Sequence, residues 1–296
     1  MLDGAGTVAR RSSPWWRVST SARFDETRRM DSVRSPAPPH VQFENVHMAF
    51  DDRVVHRSLS CSFARGRISV ILGGSGSGKS TLLRLIGGLV RPDAGRILVG
   101  SSDVTQLSEA ELFDVRTGLG MLFQHGALLD SLTVFDNLAL PLRERALGSE
   151  AEIAERVREQ LSSVGLDGVE TLLPGQLSGG MLRRAALARA MILRPEILLC
   201  DEPFSGLDPI SLRRIESLLA AINQRSGTTL LVVSHHIAST FRLADQVVLL
   251  LPGRSVSGTP RDLATSSDPE VAGFFDEGSP TQSPLLTDGA SRRMDT

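Results

Sequence analysis

Apolar positions along the chain recur with two different periods. Between residues 41 and 63 they come in short groups: Val41, Phe43 and Val46, then Val54-Val55, then Leu59, Cys61 and Phe63. Near-alternation of this kind sets one face of a strand against a core, so the stretch predicts short strands separated by turns. Arg67 to Leu72 is another strand-length run, and it ends in a loop of glycine and serine. Lys79 to Val90 has helical spacing and is stopped by Arg91-Pro92, because proline cannot continue a helix. Residues 110–161 carry mostly helical patterns, clearest over Glu150 to Leu161, where Ile153, Val157 and Leu161 share one face. A further helix follows Gly180. Beyond it the pattern predicts a strand at Ile197 to Cys200, a helix at Ile210 to Gln224, a strand at Thr229 to Ser234 and a strand-length run at Val247 to Leu251. Strands alternating with helices predict an α/β fold, a mostly parallel sheet with helices on its faces. No internal repeat is visible, so one such unit is expected rather than a tandem pair.

Both ends break the pattern. Residues 1–40 are rich in Arg, Ser and Pro, set seven arginines against four acids, and hold the only tryptophans, Trp15-Trp16. They read as a disordered extension, or as sequence upstream of a true start at Met30. Residues 277–296 lack an apolar period and also read as disordered. The folded unit is therefore expected over 41–276, with its helical part at about 125–190. A hydrophobic content of 41% over 296 residues supports a packed core. The net charge of -2 argues against a protein that coats nucleic acid, and no nucleic-acid partner is expected. No apolar run approaches the roughly 18 residues that span a bilayer, and the N-terminus lacks a signal-peptide core. Any membrane role must come through a partner. Cys61 and Cys200, the only cysteines, lie in apolar strand-like context and are expected as free thiols.

The chemistry starts at Lys79, the only lysine in a chain with 31 arginines. It stands in Gly73-Gly74-Ser75-Gly76-Ser77-Gly78-Lys79-Ser80-Thr81, between a predicted strand and a predicted helix. Glycines at these places let backbone N–H groups turn inward around an anion, and the helix start adds its positive dipole end. A lysine is a compact charge on a thin stem that can thread such a ring, whereas arginine is a planar fork. The spacing is that of a phosphate loop, which predicts a nucleoside triphosphate such as ATP, with Lys79 on the β- and γ-phosphates and Ser80 on Mg²⁺. The second half of the site is Ile197-Leu198-Leu199-Cys200-Asp201-Glu202, a buried strand ending in two acids. Asp201 is expected to hold Mg²⁺ through water, and Glu202 to act as general base toward the attacking water.

Leu177-Ser178-Gly179-Gly180-Met181 opens the helix after Gly180. Ser178 and the adjacent N–H groups fit a second anion site or an ordinary helix cap. With these residues the chain resembles the ATPase subunits of ABC transporters, over about Val41 to Asp276. The resemblance implies a P-loop NTPase fold of ABC type. Its parts are a RecA-like parallel-sheet core, an antiparallel β subdomain near 41–63 and an α-helical subdomain near 125–190. It also implies roles. Gln124 in Leu122-Phe123-Gln124 matches the Q-loop residue that touches Mg²⁺ and senses the membrane subunit. Ser178, Gly179 and Gly180 match the signature that clamps the γ-phosphate held by a second copy. Asp208 in Ser205-Gly206-Leu207-Asp208 lies across the dimer interface, His235 contacts the γ-phosphate, and Phe50 stacks on adenine. His236 is expected to be a solvent-facing neighbour. The implied species is a head-to-tail homodimer that buries two ATP molecules and hydrolyses them.

Finer features narrow the resemblance. Met181 stands where importers and drug exporters usually have glutamine, followed by Arg183-Arg184-Ala185-Ala186. With Asp268-Pro269-Glu270-Val271 near the end, these are similar to the ATPase subunits of MCE-type phospholipid transporters, the Mla class, which move lipid between bacterial inner and outer membranes. The chain departs from some close relatives at Leu207 and His236. The implied partners are an integral membrane permease, an MCE-domain periplasmic protein and a small STAS-type subunit. The implied place is the cytoplasmic face of the inner membrane, as a peripheral subunit. The apolar residues after Gln124 (Ala127, Leu128, Leu129, Leu132, Val134, Phe135) are expected to serve the permease contact, with core packing accounting for about half of them. Two alternatives stand beside this. An ABC importer for amino acids or another small solute uses the same motor and is told apart by its partners. A non-transport ABC ATPase is disfavoured, since about a hundred residues join Lys79 to Ser178 with no heptad run.

Overall fold

The computed structural model describes residues 39–276 apart from 52 and 125, so the expected tails lie almost wholly outside the described residues. β1 (Pro39–Phe50) and β2 (Arg53–Ala64) pair antiparallel as one long hairpin. The sequence suggested several shorter strands there. The difference comes from bulges in the ladder, between Phe43 and Val46 and on to Met48 and Ala49, which shift the apolar register without ending the strand. β3 (Ile68–Gly73) is buried along its whole length and leads through the glycine loop into α1 (Lys79–Ile86). That helix stops short of the expected Val90, because Gly87 caps it and Gly88 turns at φ 61°. β4 (Ala94–Val99) and β5 (Ser102–Asp103) complete a four-stranded sheet in the order β2-β1-β4-β5.

The main sheet collects the remaining strands. After α2 (Glu109–Thr117) comes β6 (Leu119–Leu122), a short strand inside a region read as helical. The helical subdomain follows, with α3 (Val134–Glu144), α4 (Glu150–Ser163) and α5 (Gly179–Met191). Then come β7 (Ile197–Asp201), α6 (Pro209–Ser226), β8 (Thr229–Val233), α7 (Ile237–Leu243), β9 (Gln246–Leu251) and β10 (Arg254–Gly258). α8 (Pro260–Ala264) and α9 (Pro269–Asp276) close the described chain. The strand order is β10-β9-β3-β8-β7-β6, parallel throughout except for β10 on β9.

Alternation along the central strands divides the core between two faces. Val70, Leu72, Leu198, Cys200, Leu230 and Val232 pack on one side with Leu187 of α5 and Ile215 and Leu219 of α6. Ile71, Leu199, Leu231 and Val233 pack on the other with Leu82, Leu83 and Ile86 of α1 and with Phe43 and Phe63 of the small sheet. Both faces are covered, so these strands read as continuous apolar runs. Each buried Leu, Ile or Val contributes roughly 1.5–3 kcal/mol. The helical subdomain has its own core, in which the α4 face Ile153, Val157 and Leu161 meets Leu138, Leu142, Ala185 and Ala188.

Of the apolar residues after Gln124, Val134 is fully buried, Leu128, Leu132 and Phe135 are half-buried, and Leu129 and Ala127 are exposed. Core packing thus takes a share of them and leaves a share at the surface. Cys61 and Cys200 are free thiols, and burial pushes the Cys61 thiol up to about 12. Among the described residues no helix is long and apolar enough to cross a membrane.

Candidate nucleotide site

Parallel strands deliver their C-terminal ends to one edge of the sheet, where open α/β folds bind ligands. β3 delivers the loop 73–78, β6 delivers Gln124, β7 delivers Asp201 and Glu202, and β8 delivers Ser234 and His235. Residues far apart in sequence are therefore neighbours by topology alone.

The loop is held from outside by its carbonyl oxygens. Lys79 Nζ donates to Gly73 O (2.8 Å) and Gly74 O (2.9 Å), Arg53 donates to Gly76 O (3.3 Å), and His56 Nε2 donates to Gly78 O (3.2 Å). Gly78, at φ 90°, caps α1 with no side chain of its own. A Cβ there would come within 2.5 Å of both His56 and Val55. The first-turn N–H groups of α1 thus keep no side-chain acceptor, which is the condition for an anion at a helix start. Burial lowers the Lys79 pKa, while the charges of Glu202 and Asp201 pull it back up. Phe50 is 43% exposed and lines a cavity of about 750 Å³ with Arg53, Lys79, Ser80 and Thr81.

Opposite the loop, Ser80 Oγ donates to Asp201 Oδ1 at 3.0 Å. Glu202 has left-handed backbone (φ 48°), an uncommon state for a residue with a Cβ, and is held there by its N–H on Val233 O at 3.0 Å. Its side chain is 13% exposed and that of His235 68% exposed. His235 Nδ1 lies 2.9 Å from Glu202 Oε2, yet that oxygen, like Ser77 Oγ, is buried without a hydrogen-bond partner. The distance is right and the direction is not. Two orphaned polar atoms beside an uncapped helix start fit a site shaped for a phosphate group and its cation. No group of three His, Cys, Asp or Glu is placed to hold a metal ion by itself among the described residues. Ser80 and Asp201 suit a Mg²⁺ that takes most of its oxygens from phosphate and water.

The signature residues and Asp208 stand apart from this set. Ser178 is exposed and caps α5, its Oγ accepting from Met181 N at 3.3 Å, and among the described residues no hydrogen bond joins Ser178, Gly179 or Gly180 to the loop 73–81. Asp208 caps α6 by accepting from Ile210 N (2.9 Å) and Ser211 N (3.0 Å). Gln124 is exposed at the end of the β6 segment.

The profile described as ABC transporter matches residues 56–205, more than half of the chain. The chain belongs to the ABC transporter family, as an ATPase subunit. It is 42% identical over 236 residues to the intermembrane phospholipid transport system ATP-binding protein MlaF of Haemophilus influenzae, covering 79% of this chain and 89% of that one. It is 40% identical over 243 residues to the probable ribonucleotide transport ATP-binding protein mkl of Mycobacterium leprae, covering 82% and 70%. Among solved structures, the dimeric ATP-binding cassette MJ0796 in a post-hydrolysis state with ADP and phosphate superposes with a TM-score of 0.69 at 31% identity. It covers 75% of this chain and 99% of that one.

One expectation for this ABC ATPase is corrected. His236 is not a bystander facing solvent. It is half-buried and caps α7, its Nδ1 accepting from Ser239 N at 3.2 Å and lying 2.8 Å from Ser239 Oγ. Only a neutral ring can accept there. Burial lowers the His236 pKa, with Arg242, His235 and Arg213 adding to the shift and Glu216 opposing it. A folded pKa below the unfolded value means the cap contributes fully above about pH 6.5 and is lost as pH falls through the folded value. His236→Asp supplies a cap that stays ionised through this window. The variant is expected to gain about 1 kcal/mol over the parent chain between pH 7.5 and 5.5. Thermal melts at the two pH values check it, and a difference that does not change with pH would reject the titrating cap. Sequence reading also missed the supports beneath the loop, Arg53 and His56. A histidine or arginine on a strand carries no signal of which turn it will meet.

Proposed function

We propose that the chain powers phospholipid transport between the inner and outer membranes as the ATP-hydrolysing half of an ABC transporter, working as a pair of copies beneath a membrane permease. The observation that carries this reading is the likeness to an intermembrane phospholipid transport ATPase over 79% of this chain and 89% of that one. It is joined to a site in which the phosphate loop, the acids Asp201 and Glu202, and His235 share one sheet edge. Ser178 and Gly179 of the signature are exposed and unconnected to the loop of their own chain, which suits a clamp that acts on a second copy. The proposed partners are the permease, an MCE-domain periplasmic protein and a STAS-type subunit, with the ATPase peripheral at the cytoplasmic face.

In this reading Phe50 stacks on the base, the N–H groups of 74–81 and Lys79 hold the phosphates, and Ser80, Gln124 and Asp201 hold Mg²⁺. When bound, the cation neutralises charge on the β- and γ-phosphate oxygens. Glu202 accepts the proton of the attacking water through its orphaned oxygen, and His235 orients toward the γ-phosphate. Ser178, Gly179 and Gly180 close the site from the second copy, with Asp208 at the seam. Closure and reopening then transmit force to the permease.

Purification of the chain with its membrane subunits tests the proposal. A permease and an MCE-domain protein are expected to co-purify, and phospholipid is expected to stimulate ATP turnover in the reconstituted complex. Co-purification of a solute-binding protein would replace this reading with amino-acid or other solute import. Because one group of relatives is named for ribonucleotide transport, ribonucleotides are the competing cargo in the same assay.

A further inference from the structure

Arg183 projects from α5 five residues beyond Ser178, and its side chain is almost completely buried at 9% exposure. Its guanidinium contacts three backbone carbonyls in two other parts of the fold. Nη1 donates to Phe123 O at 3.2 Å and to Gln124 O, while Nη2 donates to Ser205 O at 3.2 Å. Ser205 lies in the turn between Glu202 and Asp208, and its own N–H closes that turn on Glu202 O at 3.3 Å. No carboxylate lies within ion-pair distance of Arg183 among the described residues. A buried cation without an anion is costly, so the carbonyl dipoles supply its compensation. Burial lowers its pKa, although an arginine stays charged in a protein.

The chemistry of the three contacts requires a fork. Carbonyls on two separate segments need donors that diverge from one rigid plane, which a guanidinium has and an ammonium lacks. Arg184 and Arg189, on the same helix, each bind one neighbouring stretch, Val164–Gly165 and Ala127 respectively. Only Arg183 of the three bridges the segment ending in Gln124 to the turn that follows Glu202.

We propose that Arg183 is a positioning residue for ATP hydrolysis, tying the Gln124 segment and the Glu202–Asp208 turn to the helix that carries the signature. This rests on the site roles proposed above for Gln124 and Glu202. Arg183 touches no nucleotide, so its loss is expected to act on the step of hydrolysis rather than on binding. The effect is expected to pass through Gln124.

The test is a double-mutant cycle in the full chain, with kcat, KM for ATP and melting temperature measured for each variant. Arg183→Met is expected to lower kcat about tenfold or more while KM stays within about threefold. Arg183→Lys keeps the charge but not the fork and is expected to fall with it, which secures the test if the methionine variant does not fold. Combined with Gln124→Ala, either variant is expected to be no more than about threefold slower than the slower single variant. Losses that multiply, or full turnover in both Arg183 variants, would overturn the proposal. So would a rise in KM that accounts for the whole defect. Failure of the underlying site reading looks different, since Glu202→Gln would then turn over normally whatever Arg183 does.

Discussion

Glu202→Gln is expected to bind ATP within about twofold of the parent chain and to turn it over about 10²- to 10⁴-fold more slowly, the usual contribution of a general base. Glutamine keeps the shape of the side chain and its left-handed backbone seat at φ 48°, so the site is not rebuilt. What it lacks is an oxygen able to take a proton. The oxygen at issue is Oε2, which is buried without a hydrogen-bond partner and has His235 Nδ1 beside it at 2.9 Å. With hydrolysis stopped and binding intact, two copies are expected to stay closed over two ATP molecules. Size-exclusion chromatography with ATP is therefore expected to show a dimer that the parent chain forms only transiently. Steady-state phosphate release measures the first outcome. Release at the parent rate would mean that the proton goes elsewhere, and His235 would be the next candidate.

Lys79→Ala is expected to weaken ATP binding about 100-fold, which corresponds to about 2.7 kcal/mol and lies in the range of a hydrogen bond to a charged group. Lys79 is tied to Gly73 O and Gly74 O at the mouth of the loop, half-buried and facing Asp201 and Glu202. Bound phosphate replaces those two carbonyls as its partner, and alanine offers neither contact. Lys79→Arg is expected to fail as a rescue, because a planar fork cannot follow the thin stem through a ring whose glycines already meet His56, Val55 and Arg53. Titration with a fluorescent nucleotide checks both variants. Unchanged affinity in Lys79→Ala would remove the loop from the nucleotide site.

How much of this was legible in the sequence depends on how far apart the interacting residues stand. The loop, the β7 acids and the α4 face were readable because each is a local pattern: a turn that needs glycine, an apolar run with an acidic end, a 3.6-residue repeat. The sheet edge that gathers them was readable once the alternation of strands and helices fixed the C-terminal ends on one side. β6 was hidden because Leu119–Leu122 is a four-residue edge strand with only alternate residues buried, enclosed by helical sequence. β4 was hidden because its first three residues, Ala94, Gly95 and Arg96, are exposed. Arg183 was noticed as half of an arginine pair, but nothing local to it states that Phe123, Gln124 and Ser205 will lie within reach. His236 was misjudged for a related reason. The capping role depends on Ser239 turning back toward it, and histidine is an uncommon choice for a position that short oxygen-bearing side chains usually fill.

The seat of Lys79 carries a practical consequence. No other side chain in the sequence offers a primary amine, and burial lowers the pKa of this one. It stands half-buried, donating to Gly73 O and Gly74 O at the mouth of the loop. Acylation by an amine-selective reagent marks one side chain, and a peptide-level mass measurement separates that mark from the terminal amine. Nucleotide bound at the loop proposed to hold it is expected to protect that one side chain from labelling, a readout that needs no engineered tag.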